Sequence, residues 1–321
     1  MYIHNIFTNN FLQVEINYSD DEETDHEMGE TEPVIHSQPL FPKFPGDIGD
    51  QTRFNYQARL HAIAELDQMG VFEQFLDSAL VDYIVEETNR YANMDKADHL
   101  FSTNAVEIRT FIAILFFTGY HSVPQQDMYW STSPDSEFAI VRKAMSRNRF
   151  RLLKKYLHHC NNHNVTNDKS FKVKQFMELL NERFLRWSIC QQNLSVDECM
   201  VPYFGRSTLK QFIRNKPIRF GFKNWCLCDS TGYCYRANFY VGKDETPGRQ
   251  PLGTRVVNAL VQSCVLDRNS SVLYMDNFFT SLSLLSSLAD SGLRATGTIR
   301  RNRVASVPLK TDAEMKKSTR G

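Results

Sequence analysis

The sequence predicts a mixed α/β protein in which a helical region is followed by a smaller domain of strands and helices. Between residues 51 and 192, apolar residues recur three and four positions apart, which is the spacing of helices. After residue 192, short apolar runs alternate with helical segments in the order β-ββ-α-β-α-β, the pattern of a mixed α/β domain. A chain of 321 residues is long enough to form both parts.

Residues 1–50 differ from the rest of the chain in charge. They hold eleven acidic residues and one basic residue, Lys43, which leaves a net charge of +10 on the remainder. The segment SDDEETDHEMGETE cannot bury apolar surface, so we expect a disordered tail followed by a proline-containing linker. An acidic tail on a basic body is common among nucleic-acid-binding proteins, although a solvated tail beside an ordinary basic domain has the same charge pattern.

The helical region, residues 51–192, divides into several segments. Residues 58–92 predict two or more helices, and residues 107–120 predict a buried helix that ends at Gly119 as its C-cap. In the next segment, Ser146 is the expected N-cap of a basic helix. The apolar stripe of that helix consists of Phe150, Leu153 and Leu157. Residues 173–192 predict a further amphipathic helix.

The domain at residues 193–321 begins with the strand-like run NLSVDE. A hairpin follows, with Thr231 and Gly232 at its tip. The remaining predicted elements are a helix at 254–264, a strand at 271–276, a helix at 279–292 that ends at Gly292, and a strand at 294–300.

Seven cysteines without a signal peptide predict a reducing compartment and no disulfide framework. The most apolar run, at residues 111–117, is far shorter than the roughly 20 residues that span a bilayer. We therefore expect a soluble intracellular protein with no membrane partner and no small-molecule substrate.

Two carboxylates occupy corresponding places in the strand pattern. Asp197 is expected to end the first strand, and Asp276 the strand SVLYMD. Groups at the carboxyl ends of strands collect at one edge of an α/β sheet, where two carboxylates would bind Mg²⁺ or Mn²⁺ for phosphodiester chemistry. The simpler alternatives are a strand-end acid for Asp197 and a helix N-cap for Asp276.

A strongly basic segment follows Asp197. Residues 203–223 contain no acid, and their aromatic residues could stack on unpaired bases while their cations hold phosphates. The aromatic residues are Tyr203, Phe204, Phe212, Phe220 and Phe222. The cations are Arg206, Lys210, Arg214, Lys216, Arg219 and Lys223. The alternative is a solvated loop whose aromatic residues belong to the core.

At these positions the sequence resembles the piggyBac-type transposases of the DDE superfamily. The run from Ser195 to Tyr235 resembles the family's first catalytic block, and YMDNFFTSLSLL resembles the second. The segments MSRNRFRLLKKYLHHCNN and GYHSVPQQDMYW resemble the family's helical dimerisation and DNA-binding region. ATGTIRRNR resembles the motif after the second block and adds Arg300, Arg301 and Arg303 to the expected DNA contacts.

The resemblance implies an RNase H-like core with Asp197 and Asp276 as catalytic metal ligands for two Mg²⁺ or Mn²⁺ ions. It also implies cut-and-paste transposition in the nucleus, with a homodimer acting on terminal inverted repeats of double-stranded DNA and on TTAA targets. The family's third aspartate has no counterpart among the later acids Asp290, Asp312 and Glu314. We therefore expect an incomplete core at 193–321, in a chain truncated at its C-terminus.

Two groups of soft ligands are alternatives to this site. Cys226, Cys228 and Cys234 lack paired CxxC spacing and are expected to be core cysteines. The segment from His158 to His163 fits no standard zinc spacing and is expected to be a helix end.

Three functions follow from these features. The first is a DNA-cutting transposase whose third acid is supplied by further sequence. The second is a catalytically inactive, domesticated DNA-binding protein. The third is a protein-interaction factor that uses the acidic tail and the helical region.

Overall fold

A computed structural model of the chain describes residues 58, 61–300 and 303–304, with internal gaps at 165, 189–190, 215, 243–249 and 265–269. The predicted acidic tail at residues 1–50 and the predicted DNA contact Arg301 lie outside the described residues. None of the helices within the described ranges is long and apolar enough to cross a membrane.

The first part of the described chain is helical, as predicted. Its α-helices are α1 Gln68–Phe75, α2 Ser78–Arg90, α3 Ala105–Tyr120, α4 Ala139–Ala144, α5 Arg147–Tyr156 and α6 Phe171–Arg186. A π-helical turn at Tyr91–Asp95 extends α2, and 3₁₀ turns occupy Gln126–Trp130 and Asn162–Asn164.

Side-chain caps define where several of these helices begin. Asp77 accepts a hydrogen bond from the Leu80 N–H at the start of α2, and Ser146 accepts one from the Arg149 N–H at the start of α5. The prediction of Ser146 as an N-cap is therefore confirmed. The predicted C-cap at Gly119 is wrong, because α3 continues through it to Tyr120 and is capped at His121, whose N–H bonds the Phe117 carbonyl.

The second part is a six-stranded mixed sheet, with two helices in the connections between its strands. The strands are β1 Asn193–Pro202, β2 Gln211–Phe212, β3 Phe220–Asp229, β4 Cys234–Phe239, β5 Val272–Met275 and β6 Arg294–Gly297. Helix α7 spans Leu252–Gln262 and helix α8 spans Leu282–Asp290. The predicted order β-ββ-α-β-α-β is confirmed, with the short strand β2 as an addition that the sequence pattern did not indicate.

The order across the sheet places β1 at its centre. β1 pairs antiparallel with β3 on one side and parallel with β5 on the other, and β6 pairs parallel with β5. Both β2 and β4 pair with the outer side of β3. The predicted hairpin tip is confirmed, because Gly232 has a φ of 84°, which favours glycine, between β3 and β4.

Each face of the sheet is covered by a separate part of the chain. Leu194, Val196 and Leu273 pack with α7 and α8 on one face. On the other face, Cys226, Cys234 and Ala237 belong to the same apolar core as the helices of the first part, including the predicted stripe Phe150, Leu153 and Leu157. The helical region therefore packs directly on the sheet, and one hydrophobic core crosses the boundary at residue 192.

Candidate metal and nucleic-acid site

The parallel pairing of β1 with β5 brings the two predicted carboxylates side by side. Val196 on β1 and Met275 on β5 are register partners, and the residues that follow them are Asp197 and Asp276 respectively. Neighbouring strands lie about 4.8 Å apart. Asp197 does not end its strand, as the sequence suggested, because β1 continues to Pro202 against β3. It lies where the β5 partner stops, which leaves that flank of β1 open.

The carboxylate of Asp197 is partly enclosed by its surroundings. Its Oδ1 accepts a hydrogen bond of 2.8 Å from the Glu198 N–H, and 59% of its side chain is exposed. The pocket wall around the carboxylate removes part of its hydration and raises its pKa, and the charge of Glu198 acts in the same direction. A cation at this position would offset both effects.

Asp276 lies in the tight turn that follows β5. Its Oδ1 accepts a hydrogen bond from the Phe278 N–H at 2.9 Å, and its carbonyl accepts one from the Thr280 hydroxyl at 2.7 Å. The alternative interpretation of Asp276 as a helix N-cap is wrong, because Ser281 caps α8 by accepting from the Leu284 N–H. Asp276 is exposed and free of a capping role.

Close packing fixes this turn, which spans residues 276–280. A Cβ at Gly253 would lie 2.8 Å from the Phe278 carbonyl oxygen, and one at Gly297 would lie 2.5 Å from the Met275 carbonyl oxygen. The Arg303 guanidinium donates to the carbonyls of Asn277 and Phe278, at 2.9 Å each, and to that of Thr280 at 3.2 Å. Glycines on α7 and β6 therefore allow the close approach that positions Asp276.

Two charged residues at this edge were not identified from the sequence as a pair. Lys216 Nζ lies 3.1 Å from Glu198 Oε1 and 3.9 Å from Asp197 Oδ1. Burial acts to lower the pKa of Lys216, but the hydrogen bond to Glu198 and the charges of Asp197, Glu198 and Asp276 raise it overall. The signal in the sequence was the acid Glu198 next to Asp197, yet only folding brings Lys216 back to both.

Asp197, Glu198 and Lys216 line a cavity of about 420 Å³ beside β1, together with four thiols. The thiols are Cys199 on β1, Cys226 and Cys228 on β3, and Cys234 on β4. Hydrogen bonds to the other three thiols, together with burial, raise the pKa of Cys226 well above its usual range. Among the described residues, no group of three or more His, Cys, Asp or Glu side chains is arranged to hold a metal ion. Cys226 and Cys234 are buried in the apolar core and Cys228 packs against it, in agreement with the prediction of core cysteines.

The histidine-rich segment after α5 is likewise built into the fold. His158 and His159 are buried, and their rings stack on Tyr91 and Phe176 at centroid distances of 4.0 and 4.4 Å. Burial lowers the pKa of His159 to about 3, so this ring is neutral at physiological pH. The segment follows the end of α5 at Tyr156, in agreement with the predicted helix end.

The basic segment forms the loops around β2, next to the acidic edge. Arg206, Arg214 and Arg219 are exposed, and no ion pair is found for them with the acids of the described chain. Lys210 is half-buried and donates to the Gly205 carbonyl at 3.1 Å. A backbone hydrogen bond of 2.9 Å from the Ile213 N–H to the Arg219 carbonyl closes the loop that carries Lys216.

The aromatic residues of this segment divide into two groups. Tyr203 and Phe222 are buried in a small core with Val173, Val201 and Leu209, so the expectation that they stack on bases is wrong. Phe204, Phe212 and Phe220 are exposed, and the rings of Phe212 and Phe220 lie 4.7 Å apart. Phe212 and Phe220 are register partners at the start of β3, next to the exposed basic loop, and the stacking of this second group on an unpaired base remains a prediction.

Three further predicted DNA-binding cations, Lys223, Arg300 and Arg303, make contacts within the fold. Lys223 Nζ lies 4.2 Å from the Trp225 ring centroid and 4.3 Å from that of Tyr240, in contacts that stabilise a cation. Arg303 holds the Asp276 turn as described above, and Arg300 Nε contacts Asn277 Oδ1 at 3.4 Å. Their assignment to DNA contact stays a prediction, and these internal roles are additional to it.

The donor set at this edge fits a small divalent cation. Mg²⁺ is commonly bound through one or two carboxylates plus waters and substrate phosphates. Asp197 and Asp276 supply two such carboxylates on a fixed framework, and the exposed basic loop beside them can attract phosphate.

Comparisons with known proteins agree with this architecture. A family model described as Transposase IS4 matches residues 67–321. The human piggyBac transposable element-derived protein 3 is 38% identical over 255 residues, which are 78% of this chain and 43% of that protein. The human piggyBac transposable element-derived protein 2 is 36% identical over 264 residues, which are 80% of this chain and 44% of that protein. The chain thus spans less than half the length of these curated relatives.

A solved structure shares the fold. The cryo-EM structure of a piggyBac transposase synaptic complex with hairpin DNA matches with a TM-score of 0.64 at 24% sequence identity. The match covers 78% of this chain and 53% of the other. The mixed α/β architecture is therefore that of a DDE transposase core, consistent with the RNase H-like fold expected from the sequence.

Proposed function

The chain belongs to the Transposase IS4 family, and from this premise we propose that it is a piggyBac transposase-derived protein that binds double-stranded DNA and a divalent metal ion. The observation that carries the proposal is the register of β1 with β5, which sets Asp197 beside Asp276 next to an exposed basic loop.

Asp197 and Asp276 would hold Mg²⁺ or Mn²⁺, which when bound supplies Lewis-acid activation for phosphodiester cleavage and transfer. The chain's own contribution is position. β1 and β5 fix the backbone of both acids, and the glycine contacts and Arg303 keep the Asp276 turn from shifting. Arg206, Arg214 and Arg219 would hold DNA phosphates at the same edge.

The proposed substrate is transposon DNA with terminal inverted repeats, inserted at TTAA targets. Cutting such ends requires a further metal-binding acid, which we do not assign to any described residue. A chain that binds DNA and metal at this edge without cutting would correspond to a domesticated, inactive derivative, and this is the second candidate function. Its support is the pair of acids, where the resemblance implies three. A homodimer and a nuclear location belong to both versions of the proposal.

Metal binding is tested first, by titrating the 321-residue chain with Mn²⁺ and following free Mn²⁺ by electron paramagnetic resonance. We expect one class of bound Mn²⁺ that is weakened at least tenfold in Asp197→Asn and in Asp276→Asn. Asp290→Asn is the matched control, because Asp290 is an exposed acid at the end of α8. Equal Mn²⁺ affinity in all four proteins would contradict the proposed site.

DNA binding is tested by fluorescence anisotropy with duplexes that carry TTAA-flanked inverted repeats or a scrambled sequence. Each phosphate contact contributes a slope of roughly −0.9 to the plot of log affinity against log salt. We expect a steep slope that becomes shallower by about one in Arg214→Gln. No binding at low salt would exclude both nucleic-acid functions. Mn²⁺-dependent strand cutting that is lost in Asp197→Asn would favour the active transposase over the inactive derivative.

A further inference from the structure

We propose that Lys216 is a tethered counter-cation of the acidic edge, which competes with the divalent metal and moves to phosphate when DNA binds. The inference rests on the proposed function, since it concerns the regulation of the same site. Its consequence is that metal binding and DNA binding reinforce each other through one side chain.

The position of the ammonium group is the first step of the argument. Lys216 Nζ contacts Glu198 Oε1 at 3.1 Å and approaches Asp197 Oδ1 to 3.9 Å. Asp276 is close enough for its charge to act on the same ammonium group. Asp197 and Glu198 therefore share one internal cation, and these two acids with the ammonium group carry a net charge of −1.

The second step is the exclusion between this ammonium group and a metal ion. A cation bound through Asp197 would lie close to the ammonium group, because Nζ is 3.9 Å from Asp197 Oδ1, and like charges at short distances repel strongly. The nearer contact of Nζ is Glu198 Oε1, which is not one of the two proposed metal ligands. Lys216 therefore opposes metal binding while it remains at this edge.

The third step concerns where the side chain can go. Lys216 lies in the loop between β2 and β3, and 34% of its side chain is exposed. Arg214 and Arg219 in the same loop are exposed, so a phosphodiester that reaches the loop meets a cluster of cations that includes Lys216. A phosphate oxygen accepts a charge-assisted hydrogen bond as strong as that of a carboxylate, which lets the ammonium group exchange one for the other.

Lys216→Met tests the inference, because it removes the charge and keeps the length of the side chain. In the 321-residue chain without DNA, we expect Lys216→Met to bind Mn²⁺ about tenfold more tightly than the wild type, the order expected for loss of one nearby positive charge. Lys216→Arg should retain weak binding. Lys143→Met, an exposed lysine on α4 remote from this edge in sequence, controls for the change in net charge.

The second measurement repeats the Mn²⁺ titrations in the presence of saturating duplex DNA. By linkage, DNA should tighten Mn²⁺ binding in the wild type, and this gain should be several-fold smaller in Lys216→Met, where the competing cation is already absent. Thermal melts followed by circular dichroism check folding, and Lys216→Gln serves as a second neutral variant.

The outcomes separate this inference from the proposed function. Mn²⁺ binding that depends on Asp197 and Asp276 but is unchanged or weaker in both neutral Lys216 variants overturns the inference and leaves the proposed function standing. Absence of any Mn²⁺ binding that depends on the two aspartates overturns both. An equal gain from DNA in the wild type and in Lys216→Met would refute the coupling.

Discussion

The buried asparagine Asn181 links the helical region to the sheet, and its substitution is our most direct test of the fold. Asn181 lies on α6 and is 1% exposed. Its side-chain amide donates to the Ala237 carbonyl at 3.0 Å, and its amide oxygen accepts from the Ala237 N–H at 2.9 Å. Because Ala237 lies on β4, this pair completes the hydrogen bonding of a strand edge that β3 does not reach.

The expected cost of Asn181→Leu follows from those two contacts. Leucine fills a similar volume but leaves the N–H and the carbonyl of the fully buried Ala237 without partners. An unsatisfied buried polar group costs about 1–3 kcal/mol. Two such groups predict a loss of about 4 kcal/mol in the free energy of unfolding, reduced somewhat by the apolar surface that leucine buries.

Urea denaturation, followed by tryptophan fluorescence, measures this loss. With a slope of about 2–3 kcal/mol/M, a loss of about 4 kcal/mol lowers the midpoint by roughly 1 to 2 M. The matched control is Asn148→Leu, because Asn148 is exposed on α5 and should shift the free energy by less than about 0.5 kcal/mol. A loss below about 1 kcal/mol for Asn181→Leu would refute the reasoning, since Ala237 would then be satisfied by other groups.

Three further predictions follow from the packing and electrostatics. Gly221→Ala should destabilise the protein by about 3 kcal/mol or more in thermal melts, because its Cβ would lie 1.9 Å from the Val201 carbonyl oxygen and force β1 from β3; a melting temperature equal to that of the wild type would contradict this register. Asp77→Asn should cost about 2 kcal/mol at pH 7, because it removes the charged partner of the buried Arg183, 2.6 Å away. Burial acts to raise the pKa of Asp77, but hydrogen bonds from Arg183 and the Leu80 N–H lower it overall. The stabilisation by ionised Asp77 therefore exists above the unfolded pKa of about 3.9, and the difference between variant and wild type should shrink as the pH falls below about 4. A pH-independent difference in unfolding free energy would argue against the ion pair. Cys226 should react with iodoacetamide at pH 8 at least about tenfold more slowly in the folded chain than in urea, because its raised pKa and burial leave little accessible thiolate, and equal rates by mass spectrometry would exclude the thiol cluster.

Much of the secondary structure could be predicted because it depends on local patterns. Ser146 caps α5 through a group three residues away, and Gly232 permits the hairpin turn by its own φ. Gly119 shows the limit of such rules. A glycine ends a helix only when the backbone leaves the helical region there. In α3 the helix continues one residue further, and the His121 N–H still bonds the Phe117 carbonyl.

The two acids of the candidate site could be predicted from the sequence, but the residues that surround them could not. Asp197 and Asp276 could be identified because each follows a short apolar run and lies in a segment that resembles a transposase block. The contact of Lys216 with Glu198 and the approach of Cys199 to the other thiols depend on strand pairing between distant segments. The spacing of residue types along the sequence does not indicate which distant segments pair.

The sequence by itself determined the family, the order of helices and strands, and the two carboxylates, since these are written in local periodicity and in contiguous motifs. Only the tertiary structure decided that β1 extends past Asp197 and that Lys216 and Arg303 contact the residues of the site. It also decided which aromatic residues of the basic segment are buried, namely Tyr203 and Phe222, and which face solvent, namely Phe204, Phe212 and Phe220. The physical reason is that burial and ion pairing depend on which segments lie next to each other in the fold. Here the register of β1 with β3 and β5 determines which residues become neighbours.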